Sequence, residues 1–96
     1  MSLTPTGALN YAHLNANGTT VVKSGAGWLH SITINSKGAS SNIATVYDNT
    51  AGSGTVIAVL DTTAQIQTLL FDAAFQTGLT VVLATGTAAD LTVSYL

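Results

Sequence analysis

The chain is 96 residues long and 47% hydrophobic, yet only six residues carry a formal charge: Lys23, Lys37, Asp48, Asp61, Asp72 and Asp90. Soluble domains are ordinarily about 25% charged, so hydroxyl and amide groups must hydrate this surface; sixteen Thr, eight Ser and six Asn are present to do so. The lack of Cys excludes disulfides, thiolate metal sites and cysteine nucleophiles, and a net charge of −2 with no Arg leaves no basic patch for nucleic acid.

Residues 1–8 contain Pro5, the single proline, and Gly7. They are expected to form an N-terminal arm ahead of one domain spanning 9–96, a length that supports a single core. The opening Met1-Ser2-Leu3-Thr4-Pro5 has neither a basic cluster nor an apolar run, so no cleavable leader is expected. No stretch approaches the roughly 18 uninterrupted apolar residues of a spanning helix, and no membrane partner is expected.

Residues 9–15 and 19–23 read as the first two strands. From Trp28 to Asn35 the period is two: Trp28, His30, Ile32 and Ile34 share one face, and Leu29, Ser31, Thr33 and Asn35 the other. This pattern predicts a half-buried strand with Trp28 as a core anchor, its indole N–H bonded to a carbonyl; the rival role for Trp28 is an interface anchor. His30, on the same face, is expected to point inward or into an interface. Residues 43–48 and 54–61 are further strands, rich in the Val, Ile, Thr and Tyr that suit a pleated surface.

Residues 61–75 admit two readings. Asp61 with Thr62 and Thr63 resembles a helix cap, and Ile66, Leu69, Leu70, Ala73 and Ala74 follow at helical spacing. The Leu69-Leu70-Phe71 run in an all-β setting favours a strand over 66–72. Strands at 79–85 and 89–96 complete a set of about eight. The turns are marked by Asn17-Gly18, Ser24-Gly25-Ala26-Gly27, Ser36-Lys37-Gly38, residues 49–54 and Gly86. Their spacing, near ten residues, predicts an all-β fold, a small antiparallel β-sandwich.

Chemistry-bearing side chains are few. Asp48, Asp61, Asp72 and Asp90 lie at or near strand ends, where a carboxylate usually bonds backbone N–H groups. His13 and His30, with no Cys and few carboxylates, make a poor metal-ligand supply. A Ser-His-Asp set can be written in several ways, but no Gly-x-Ser-x-Gly elbow accompanies it. Gly25-Ala26-Gly27 leads into a strand, and Gly52-Ser53-Gly54 lacks the Lys-Ser/Thr of a phosphate loop. The expectation is therefore no catalytic residue, no cofactor, no metal and no enzymatic activity.

Val21-Val22, Ile57 beside Val59, and Val81-Val82-Leu83 put apolar residues on both faces of their strands. Two-sided apolarity in a two-sheet domain implies that another subunit covers part of the outer surface.

The order Val22-Lys23-Ser24-Gly25-Ala26-Gly27-Trp28-Leu29-His30-Ser31-Ile32, then Ala44-Thr45-Val46-Tyr47-Asp48-Asn49-Thr50 and Ser53-Gly54-Thr55-Val56-Ile57, resembles small virion structural proteins of tailed bacteriophages. Phe75-Gln76-Thr77-Gly78-Leu79-Thr80-Val81-Val82 and Leu91-Thr92-Val93-Ser94-Tyr95 extend the likeness over roughly residues 18–96. The resemblance implies a jelly-roll-like sandwich and a capsid decoration or cement protein that trimerises on the capsid lattice and is assembled in the host cytoplasm. It carries no functional residue over, because it rests on strand and turn positions. The alternative is a tail, fibre or baseplate component whose Trp28, Tyr11, Tyr47 or Tyr95 stacks on glycans.

Overall fold

The computed structural model describes residues 9–96; the expected arm, residues 1–8, lies outside the described residues. Eight strands follow in chain order: β1 (Asn10–Leu14), β2 (Gly18–Ser24), β3 (Gly27–Ser36), β4 (Ile43–Asp48), β5 (Thr55–Asp61), β6 (Gln67–Phe75), β7 (Gly78–Ala84) and β8 (Asp90–Tyr95). The ambiguous segment is strand, not helix. Along β6, Leu69, Phe71, Ala73 and Phe75 turn toward the core and Thr68, Leu70, Asp72 and Ala74 away from it. Period two wins because it lays Phe71 and Phe75 against an existing sheet, whereas a short helix draws most of its stability from packing one whole face. Asp61 closes a tight turn instead of capping a helix, accepting Thr63 N–H at 2.9 Å and Thr63 Oγ1–H at 2.6 Å.

The strands form two four-stranded antiparallel sheets, ordered β1-β8-β3-β6 and β2-β7-β4-β5. Apart from the β4–β5 hairpin, each successive strand among the described residues crosses to the opposite sheet. This eight-stranded, doubly crossed order is that of a jelly roll. Leu29, Ile32, Ile34, Leu91 and Val93 of the first sheet meet Val46, Leu79, Val81 and Leu83 of the second in a buried core. Burying each such side chain stabilises the fold by about 1.5–3 kcal/mol.

Two close approaches seal the ends. A Cβ on Gly27 would fall 2.2 Å from the Leu96 carbonyl oxygen and 2.6 Å from the Phe75 ring, so only glycine lets the chains meet there. Beside it, Trp28 N–H donates to Leu96 O at 2.9 Å and Leu96 N–H to Trp28 O at 2.8 Å. At the other end, Ala39 and Thr87 exchange both backbone bonds at 3.0 Å, joining the β3–β4 and β7–β8 loops.

Candidate functional site

The outer face of the β1-β8-β3-β6 sheet collects both histidines and two of the four aspartates, and register explains how. Leu29 pairs with Ala73 and Ser31 with Leu70, so the single residue His30 on β3 faces two on β6, Phe71 and Asp72. On its other side His30 has no counterpart on β8, since Leu29 pairs with Tyr95 and Ser31 with Ser94. The bulge resets the alternation of β3. Leu29 points inward before it, Ile32 and Ile34 after it.

The bulge overturns the expectation that Trp28 and His30 share a face with Ile32 and Ile34. Trp28 is 38% exposed on the outer face and is no core anchor. Its indole meets the His30 ring edge-on, with centroids 6.0 Å apart at 73°. His30 Nδ1 lies 2.6 Å from Asp72 Oδ1. With the carboxylate ionised and the imidazole neutral, Nδ1–H donates and Nε2 is left as an acceptor. Asp72 itself adopts φ +48°, a left-handed conformation that a short polar residue tolerates better than most but that still costs on the order of 1 kcal/mol.

A second pair lies on the same sheet. His13 on β1 bonds Asp90 on β8 at 2.7 Å, and Asn35 Nδ2 donates to the same Asp90 oxygen at 2.9 Å. Asn35 and His13 together hold the Asp90 carboxyl below the usual carboxylate range. Asp72 and Asp90 thus depart from the expected backbone-bonding role, while Asp48 and Asp61 keep it. Asp48 accepts N–H bonds from Gln76 and Thr77 at 2.8–3.0 Å, closing the β6–β7 turn. The Thr77 N–H, then that of Gln76, lower the Asp48 pKa.

Four strands of the first sheet align Tyr11, Ser94, Ser31 and Leu70 across one row. Tyr11 is 74% and Leu70 69% exposed. The next outward row is hydroxyl-rich: His13, Thr92, Thr33 and Thr68, with Thr33 and Thr68 bonded at 3.0 Å. Lys23 rises from β2 with its Nζ close to Gly27 of β3, and Lys37 lies in the β3–β4 loop.

The opposite outer face, on β2-β7-β4-β5, is more apolar. Its rows run Thr19, Val82, Thr45, Val59 and Val21, Thr80, Tyr47, Val56. The β4–β5 loop covers part of it: Thr80 Oγ1 donates to Asn49 O at 2.6 Å, and Gly52 sits against Val82 and Thr19. Thr80 is consequently buried although it faces outward. Val21, Val56 and Val59 remain exposed, Val59 at 61%. Tyr95, the last aromatic candidate, packs against the core.

Sequence reasoning missed Asn42 altogether. Fully buried, it donates to Thr85 O at 2.8 Å and Asn17 Oδ1 at 2.9 Å, while its Oδ1 accepts Thr62 Oγ1–H at 2.7 Å and Ala89 N–H at 3.1 Å. One amide thus ties four loops together and holds Thr85 at φ +72°. The only local signal was an Asn in a polar stretch, which describes a solvated loop equally well.

Among the described residues no three His, Asp or Glu side chains converge, no cavity is present, and no buried polar side chain lacks a partner. Compared with protein-family models, curated proteins and solved structures, the chain matches none of them.

Proposed function

We propose that this chain is a non-enzymatic structural subunit of a tailed-bacteriophage virion, a capsid decoration or cement protein that acts as a homo-oligomer, most simply a trimer, against the major capsid protein. One observation carries the reading: Val21, Val56 and Val59 stay exposed on the outer face of the β2-β7-β4-β5 sheet, in a chain with only six charged residues. A face so apolar and so weakly charged suits permanent contact with other subunits, because covering Val gains free energy and covering Thr or Ser costs less than covering a charge. The exposed edge of β5 adds backbone groups that a neighbouring strand or arm can pair. The resemblance of residues 18–96 to phage virion proteins points the same way.

The test is sedimentation of the purified chain at micromolar concentration, followed by binding to capsids. The reading requires an oligomer or capsid-bound chain that Val59→Asp disperses without altering the circular dichroism of the sandwich. A chain that stays monomeric and ignores capsids overturns it.

A further inference from the structure

We propose that the outer face of the β1-β8-β3-β6 sheet binds a neutral oligosaccharide, with one pyranose ring stacked on Trp28 and its hydroxyls bonded to His30 and Asp72. The site is distinct from the proposed subunit contact, which uses the other sheet.

Several independent features meet at Trp28. Trp28, left partly open to solvent, offers an aromatic surface on which a ligand can pack. His30 meets the indole in a T-shaped contact, which orients the ring. The bulge at His30 and the left-handed Asp72 place a carboxylate against Nδ1. Bulges and strained residues of this kind re-aim side chains at binding sites. With His30 in the neutral tautomer that donates from Nδ1, the result is an aromatic surface flanked by two acceptors, His30 Nε2 and Asp72 Oδ2, neither of which takes a hydrogen bond from the described residues.

The chemistry selects the ligand. An aromatic face beside hydrogen-bond acceptors suits a molecule with C–H groups on one side and hydroxyl donors around its rim, which describes a pyranose. The Asp72 and Asp90 carboxylates on this face disfavour phosphate, sulfate or uronate groups. The open sheet surface, with no cavity among the described residues, suits a chain of sugars lying along it rather than a small molecule enclosed by it. Tyr11, two strands from Trp28 and displaced by two residues along β8, stands about 12 Å away by strand geometry. That separation lets a ring further along the same oligosaccharide reach it.

Trp28 is the only tryptophan, so its emission and indole N–H resonance report on this site alone. The full chain is titrated with cellohexaose, chitohexaose, maltohexaose and xylohexaose. At least one should shift the indole signals saturably, with a dissociation constant of about 1 mM or below. Followed by backbone amide resonances, Trp28→Ala and Asp72→Ala should each weaken binding about tenfold or more, Trp28→Tyr should restore part of it, and Tyr47→Ala on the opposite sheet should leave it unchanged. Silence with all four sugars overturns the proposal, as does binding that survives Trp28→Ala. Indole signals that move only with protein concentration would make the face a self-contact, and overturn it too.

Discussion

His30 on β3 and Asp72 on β6 are joined at 2.6 Å across a bulge, and the bond holds Asp72 at φ +48°. Replacement of Asp72 separates the bond from the backbone strain. Asp72→Ala loses the bond and keeps a Cβ in the left-handed region; Asp72→Gly loses the bond and frees the backbone. The glycine variant should be the more stable of the two by about 1 kcal/mol in urea unfolding. Equal stability would mean that the conformation carries no strain.

Trp28 and Phe75 offer a direct contrast between an outward and an inward aromatic. Phe75→Ala empties a fully buried position and should cost about 3–5 kcal/mol. Trp28→Ala removes a ring that solvent already reaches and should cost less than half as much. Denaturant midpoints at equal m-value measure both.

Asn42 serves as donor and acceptor at once. Asn42→Ala strands the Ala89 N–H in the interior, leaves Thr62 Oγ1 only the Asn42 backbone carbonyl at 3.0 Å, and should destabilise the fold by about 2 kcal/mol. Asn42→Asp should be no better, because a carboxylate would face the Thr85 and Ala84 carbonyl oxygens where an amide now donates. Thr85→Gly should raise stability by about 1 kcal/mol, since a β-branched residue sits at φ +72°. Thermal unfolding ranks the three.

Acid should loosen the β6–β7 turn. The folded-state pKa of Asp48 is depressed by the Thr77 and Gln76 N–H groups. A carboxyl whose pKa falls on folding contributes stability above its unfolded pKa of about 4 and loses it as pH drops through the folded value. The melting temperature of the wild type should therefore fall steadily below about pH 4. Asp48→Ala should melt lower than wild type at pH 7, and the gap should narrow in acid. Hydrogen exchange at the Thr77 amide reports the same loss locally.

Removal of residues 1–7 should weaken assembly and leave the sandwich folded, if the arm lies on a neighbour. Circular dichroism checks the fold, and sedimentation with capsid binding checks the assembly. Unchanged association would remove the arm from the contact.

The legible part was the part written in local chemistry. Alternating Val, Ile and Thr, broken by Asn17-Gly18, Ser36-Lys37-Gly38 and Gly86, located the strands of a sandwich, because a strand's side-chain period and a turn's backbone demands are both local. Asp48 and Asp61 were legible as turn-closing carboxylates for the same reason. The alternation of β3 misled at Trp28: one inserted residue reverses every side chain before it, and a bulge is specified by the partner strands, not by the strand that carries it.

By itself, the sequence determined an all-β chain of low charge whose outer faces keep apolar residues, since composition and period two need no knowledge of neighbours. Only the tertiary structure decided that Trp28 and His30 face solvent beside Asp72, that the β4–β5 loop shelters Thr80, and that Asn42 binds four loops. These are contacts between residues far apart in the chain, and their geometry exists only once both sheets have paired and closed on each other.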